Sequence, residues 1–278
     1  MQLSNAQVDE FMRSGYLLLP ELFSRREVDV VKSELPALFA GETSTSSRIL
    51  EQDGRIVRSV YGVQTTNEIC QQVTRHPRLL LPARRLLGGD VYLHQFKINA
   101  KAALGGDRWD WHQDYIFWRN EDGMPAPRVV TVAVYLDDVT EFNGPMMLLP
   151  GSHREGVIEP TDERVGNGSG RLRYALNLET LRALVSRYGI CAPKGPAGTV
   201  LIFDANIVHG SAPNMSPFDR AVAFVTFNST ENILPQSEHP RPEFLAGRDF
   251  RPLTPVDDDV WSAPERSHLR DAEDSVAV

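Results

Sequence analysis

The sequence predicts a mainly β fold with flanking helices, in which an N-terminal helical layer packs against a β-sandwich or barrel. Three observations carry this expectation. Up to about residue 89 the apolar residues recur at helical spacing, whereas from Asp90 onward they fall in short β-branched and aromatic runs bounded by Gly, Pro, Asn and Asp. Strands do not alternate with helices, and no Gly-rich phosphate loop follows a strand, which argues against a dinucleotide-binding sheet. A chain of 278 residues suits one large, mainly β domain. The expected organisation is a single domain over 1–278. It has a helical layer at 1–89, a β core at 90–253 containing a variable segment at 155–190, and a flexible acidic tail at 254–278.

The elements follow in order. Ser4 is placed to cap a helix running to about Arg13, Gly15 stops it, and "YLLLP" reads as a short strand. "SRREVDVVKSELPALFA" reads as one helix capped by Ser24, with Val28, Val31, Leu35 and Leu38 on its apolar face. Residues 41–47, "GETSTSS", are a polar loop. Helical spacing returns over about 66–88, interrupted at Pro77 and ended by Gly88 and Gly89. The strands expected after it are "VYLHQFKINAK", "VVTVAVYLDD", "PMMLLPGS", "GTVLIFDA" and "AVAFVTFN". Residues 161–172, "TDERVGNGSGRL", have no apolar period and are expected to be mobile. So is the tail from Thr254, with its run Asp257-Asp258-Asp259.

Composition narrows the function. A hydrophobic fraction of 41% and a charged fraction of 24% are those of an ordinary globular protein. The net charge of −8 argues against a partner bound by neutralising phosphates, although one buried arginine can hold a small carboxylate whatever the total charge. Cys70 and Cys191 are too few for a disulfide scaffold and read as small buried hydrophobes in a reducing compartment. The N-terminus lacks the basic region and apolar run of a signal peptide, and no apolar stretch approaches the roughly 20 residues that cross a bilayer. A cytoplasmic protein acting on a small molecule, with no nucleic-acid or membrane partner, is expected.

The chemistry centres on "WHQDYIFW", residues 111–118. His-x-Asp alone says little, since about half an occurrence is expected by chance in a chain of this composition. On a strand, however, His112 and Asp114 would share one face, because side chains repeat with period two. Two histidines and one carboxylate on one face of iron(II) leave positions open for a keto acid and dioxygen. His153, His209 and His239 are candidates for the third ligand. His209 is the best placed, since it follows the strand "GTVLIFDANIV" and precedes a turn at Gly210-Ser211. Arg220 opens the apolar strand "AVAFVTF", where a buried guanidinium needs a counter-ion such as a cosubstrate carboxylate. Pairing with Asp219, or simple exposure, is the alternative.

His112, Asp114, His209 and Arg220, together with "NGPMMLLPGSH" and "HGSAPNMSPFDR", resemble the phytanoyl-CoA dioxygenase superfamily of iron(II)- and 2-oxoglutarate-dependent dioxygenases. Within it, "WHQDYIFWRNEDGMP" is similar to ectoine hydroxylases. "RILEQDGRIVRSVY", "DVYLHQFKINAKAALGGDRWDWHQD" and "RPEFLAGRD" are similar to bacterial hydroxylases of free aliphatic amino acids, of the L-leucine 5-hydroxylase type. Residues 155–190 match least. The resemblance implies a double-stranded β-helix of jelly-roll or cupin-like form, with His112, Asp114 and His209 holding iron(II). It also implies 2-oxoglutarate and dioxygen as cosubstrates.

Arg220 would take the distal carboxylate of 2-oxoglutarate, with Ser211, Asn99, Lys97 and Trp109 around it. Gln95, Lys97 and Asn99 share one strand face. Gln95, Trp118 and Phe224 would contact substrate, and Arg241 and Arg248 are candidates for a substrate carboxylate. His94 is expected to face away from Gln95, His153 to be structural, and Trp111 to pack away from the metal. Asp114 argues against a halogenase. The implied reaction is hydroxylation of an unactivated C–H bond in a leucine-like amino acid. Ectoine, another small polar metabolite, or a non-catalytic barrel binding metal and a carboxylate are the alternatives.

Overall fold

Ser4 and Ser24 start the first two helices as their spacing predicts. The computed structural model describes residues 2–40, 47–159 and 172–261. In it α1 (Asn5–Ser14) opens with a reciprocal box between Ser4 and Gln7 and closes at Gly15, whose φ of 78° no β-carbon has to share. β1 (Tyr16–Leu19) follows. The single helix expected over 24–40 is instead two, α2 (Arg25–Lys32) and α3 (Leu35–Ala40). Pro36 explains the break, because its ring would collide with the carbonyl of Lys32 and it offers no N–H. α4 (Glu68–Arg75) and α5 (Pro77–Leu87) are separated at His76, with Pro77 in the first turn of α5 and Gly88 ending it.

The first 89 residues are not wholly helical. β2 (Arg48–Leu50) and β3 (Val57–Tyr61) join the main sheet, at three and five residues too short to give a readable period. The core strands are β4 (Val91–Lys101), β5 (Trp109–His112), β6 (Val129–Tyr135), β7 (Met146–Leu148), β8 (Val200–Asp204), β9 (His209–Ser211) and β10 (Arg220–Ser229). Two helices interrupt them, α6 (Tyr115–Asp122) and α7 (Leu178–Tyr188), the latter inside the variable segment. Every pairing is antiparallel, in a seven-stranded sheet ordered β1-β8-β6-β10-β4-β3-β2 and a three-stranded sheet ordered β5-β9-β7. The two sheets form the jelly-roll.

The large sheet is buried on both faces, and its alternation sorts the residues. Phe96, Ile98, Val130, Val132, Ile202, Ala223 and Val225 face the helical layer with Val28, Val31, Leu79 and Leu80. Ala133, Leu201, Phe203, Val222 and Phe224 face the small sheet. The opening between the sheets on this second face is where the site lies.

The tail expected to be flexible from residue 254 is anchored through Trp261. Trp261 packs on His76 and Phe23, with ring centroids 4.6 and 5.5 Å away, and its indole N–H donates to Gln72 Oε1 at 3.0 Å. The indole supplies apolar area that the acidic residues before it do not advertise. The loop at 41–46, the Gly-rich stretch through residue 171 and the tail beyond residue 261 lie outside the described residues. Cys70 and Cys191 are both free thiols, the first buried and the second half-buried. Among the described residues no helix is long and apolar enough to cross a membrane.

Candidate active site

His112 ends β5 and His209 begins β9, and the two residues face each other in register across the small sheet. Asp114 is not on the strand. After His112 the chain bends, and Asp114 takes helical φ and ψ of −72° and −40° immediately before α6. The expectation of one strand face for His112 and Asp114 is therefore corrected: a bend, not the period of two, brings them together. Gln113 pins that bend. Its amide donates to the carbonyls of Asn206 (2.6 Å) and Gly156 (2.7 Å) and accepts from the N–H of Ile158 at 2.8 Å.

One ligand atom each from His112, Asp114 and His209 lies within 4.8 Å of the others, and all three residues are buried. His112 Nε2 is 3.5 Å and His209 Nε2 3.9 Å from Asp114 Oδ1. The Nδ1 atoms point outward, His112 to the carbonyl of Asp110 at 2.7 Å and His209 to that of Ile207 at 3.1 Å. Donating there fixes the tautomers and leaves both Nε2 lone pairs facing inward, the arrangement a metal requires. Burial would raise the Asp114 carboxyl, but the neighbouring His209, His112 and Lys97 hold it well below the usual carboxylate range. Burial and the neighbouring His112 push His209 down to about 4. The site therefore presents a carboxylate and a neutral imidazole, ready to coordinate.

A cavity of about 170 Å³ opens on this cluster. Gln95, Lys97 and Asn99 line it from β4, Arg220 and Phe224 from β10, and Trp109 and Ser211 from the small sheet. Arg220 is buried, donates to the carbonyls of Gly144 and of Asn143 (3.4 Å), and is pushed down to about 10 by burial. Asp219 is not its partner, since Asp219 accepts from the N–H of Ala103. The hydroxyl of Ser211 is buried and has no hydrogen-bond partner among the described residues. Asn99 Oδ1 accepts from Ser59 at 2.8 Å, which turns its NH2 toward the cavity. Trp109 lies under the guanidinium of Arg58, 3.8 Å from the ring centroid. Two imidazoles, one carboxylate, a buried guanidinium and an orphaned hydroxyl form a donor set that fits iron(II) with a keto acid.

The other end is walled by Trp118, Phe117, Tyr61, Leu172 and Leu245. Gln95 donates to the carbonyl of Leu245 at 2.8 Å, leaving its own amide oxygen free for a ligand N–H. Arg241 also lines the cavity, clamped by both oxygens of Asp122 and by Glu121. Arg248 does not. Gly247 donates to the carbonyl of His94 at 2.7 Å, and beyond it Arg248 turns into a separate groove of about 870 Å³. His94 is also corrected. A register shift where Thr226 pairs with Gln95 but Phe227 with Leu93 makes His94 the extra residue of a bulge, so it shares the inner side with Gln95. There it meets Trp118 edge-on at 5.1 Å. Trp111 packs away from the cluster, against Leu149, Leu184 and Val208. His153 is remote, its Nε2 on the carbonyl of Met12.

Sequence reading missed Tyr61, Phe117, Met146, Leu172, Phe203 and Leu245 as lining residues. Phe203 and Met146 carried a signal, the inner parity of strands read from the sequence, and Phe117 stands within "WHQDYIFW". The rest come from short or irregular segments.

Comparison with known proteins places these residues in context. The family model described as "Phytanoyl-CoA dioxygenase (PhyH)" matches residues 11–222. The chain is 38% identical to the L-proline trans-4-hydroxylase of Streptomyces griseoviridis, covering 89% of this chain and 94% of that one. It is 37% identical to the ectoine dioxygenase of Nocardia farcinica, covering 91% and 88%. The crystal structure of EctD from S. alaskensis with 2-oxoglutarate and 5-hydroxyectoine superposes with a TM-score of 0.79 at 34% identity, over 92% of this chain and 87% of that one. The same protein with bound Fe gives the same score.

Proposed function

The chain belongs to the phytanoyl-CoA dioxygenase family, and from that premise we propose that it hydroxylates an unactivated C–H bond of a free, leucine-like amino acid. It is an iron- and 2-oxoglutarate-dependent hydroxylase. The observation that carries the reading is the buried His112–Asp114–His209 cluster opening on a small, partly apolar cavity. His112, Asp114 and His209 hold the iron in this proposal. Arg220, Ser211, Asn99, Lys97 and Trp109 hold 2-oxoglutarate, and Gln95, Trp118, Phe224 and Arg241 hold substrate. All act within one domain, in the cytoplasm.

Bound iron with 2-oxoglutarate supplies dioxygen activation and C–H oxidation, yielding succinate, carbon dioxide and the hydroxylated product. The protein's part is position and dryness. Asp114 stays ionised, and the carbonyls of Asp110 and Ile207 hold both imidazoles in the coordinating tautomer. The Arg220 fork matches a carboxylate in two places and cannot lose its charge in the working range. Trp118, Phe117 and Leu245 exclude water around the reacting carbon. Arg241 enters already neutralised by two carboxylates, so it orients a substrate carboxylate with its remaining N–H groups and adds little net charge.

Similarity to proteins named for proline and ectoine supports a small zwitterionic substrate. Ectoine itself is the second reading, favoured by the likeness to EctD with 5-hydroxyectoine. A panel of free L-leucine, L-isoleucine, L-valine, L-proline and ectoine, each with iron(II), ascorbate and 2-oxoglutarate, separates the two. Succinate release with gain of one oxygen on a branched aliphatic amino acid is expected. Turnover of ectoine alone would replace the leucine reading, and turnover of only carrier-linked substrates would end it.

A further inference from the structure

The inner row of β4 continues one position past Asn99 to Lys101, which stands opposite Arg220 in the register of the large sheet. Lys101 is 1% exposed, and among the described residues no carboxylate lies within ion-pair distance of its ammonium. Its Nζ donates instead to two backbone carbonyls, of Asp107 at 2.7 Å and of Ala212. The Asn214 side chain donates to the carbonyl of Lys101 at 3.0 Å. Two glycines clasp the stem: a β-carbon on Gly106 would sit 2.6 Å from the Lys101 Cα and Cβ, and one on Gly144 would sit 2.8 Å from its Cδ. Burying an ammonium without an anion is costly. Arg220 and Arg58 beside it add to the burial cost and push it down to about 6.

Each segment that touches Lys101 carries one group of the cavity's Arg220 end. Asp107 lies two residues before Trp109, Ala212 follows Ser211, and Gly144 gives its carbonyl to Arg220. The three contact points lie just outside the small sheet, where β5 and β7 pair Trp109 and Met146 with Ser211 of β9 and the N–H of Asn214 donates to the carbonyl of Gly106 at 2.8 Å. Lys101 thus adds a bond at the end of that ladder, where the pairing stops. We propose that Lys101 is the positioning residue of the 2-oxoglutarate subsite, its Nζ joining the strand ends that carry Trp109 and Ser211 and its stem packing against Gly144, the acceptor of Arg220. This rests on the assignment of those three residues to 2-oxoglutarate. A two-point guanidinium–carboxylate contact tolerates displacements of only about 0.5 Å. Without Nζ, two buried carbonyls lose their donor and the strand ends that they belong to shift.

Lys101→Met keeps the stem and removes Nζ. With iron(II) bound and oxygen excluded, 2-oxoglutarate affinity is read from the visible charge-transfer band of its iron complex, and iron affinity separately by chelator competition. The 2-oxoglutarate dissociation constant is expected to rise at least tenfold, with iron affinity unchanged within twofold. In succinate formation KM for 2-oxoglutarate rises while kcat stays within threefold. A variant with lowered Tm but unaltered 2-oxoglutarate affinity overturns the proposal, because that is all a merely structural lysine would do. Gly106→Ala keeps Nζ but presses on the Lys101 Cα and Cβ, displacing β4 there, and is expected to weaken 2-oxoglutarate binding in the same direction. If Lys101→Met does not fold, Lys101→Gln, whose shorter amide reaches at most one of the two carbonyls, takes its place, and wild-type 2-oxoglutarate affinity in it overturns the proposal. Arg220→Ala is the control for the underlying assignment. If it retains the band at wild-type affinity, the subsite reading itself fails. If it loses the band while Lys101→Met and Gly106→Ala do not, only the role of Lys101 fails.

Discussion

Gln113 sits between two proposed iron ligands, and its amide ties two distant segments, at Gly156 and Ile158 and at Asn206. A buried amide with three partners is hard to replace, because each partner left without its bond is desolvated for nothing. Gln113→Ala is expected to cost about 2–4 kcal/mol in chemical denaturation and to weaken iron binding, since the bend that presents Asp114 loosens. Asp114→Ala acts directly. It should abolish hydroxylation and lower iron affinity at least about 100-fold, as read by product mass and chelator competition. Retained activity in Asp114→Ala would remove the iron-ligand assignment. At this scale the residue types were legible: His112, Asp114, His209 and Arg220 stand together as their motifs imply. Orientation was not. Arg241 and Arg248 share one short motif, and only the bond from Gly247 to β4 sends the second of them out of the cavity.

Among the elements, local signals worked where the chain solves its own problem. Caps at Ser4, Ser24, Gly15 and Gly88 satisfy helix ends from neighbours three or four residues away, so they can be read without a fold. The Ser24 box has since acquired a tertiary partner, Arg78 of α5, 2.9 Å from Glu27. Burial would raise Glu27, but bonds from Ser24 and Arg78 push it down to about 2. A folded value below the unfolded 4.5 means that the stabilisation is full above about pH 4.5 and lost as pH falls toward 2. Glu27→Gln should therefore destabilise by about 1–3 kcal/mol at pH 7, a difference that shrinks by more than half at pH 3 in paired thermal melts. A pH-independent difference would show that the charge is irrelevant. Elements whose shape is set from outside were not legible. The bulge at His94 depends on the partner strand's register, and the hairpin of β2 and β3 exists only as an edge of the large sheet.

For the whole molecule, Trp261 closes the helical layer on the side of the large sheet opposite the cavity. It covers His76, which burial pushes down to about 4. A folded value below the unfolded 6.5 favours the neutral ring, so this contribution is complete above about pH 6.5 and fades as pH falls toward 4. Trp261→Ala is expected to cost about 3 kcal/mol in denaturation with activity at 25 °C unchanged within twofold. A matching loss of activity would mean that the two faces of the sheet are coupled. The sequence by itself determined the fold class, most of the long strands, the helix ends and the identity of the chemistry-bearing residues. These follow from side-chain period, caps and residue type, which act over a few positions. Only the tertiary structure decided that Asp114 reaches the cluster through a bend, that Arg241 faces the cavity, that Lys101 lies buried behind Arg220, and that the acidic tail is anchored at Trp261. Each depends on a partner tens to nearly two hundred residues away, such as Asn206 for Gln113 or Gln72 for Trp261, and no local pattern encodes such a partner.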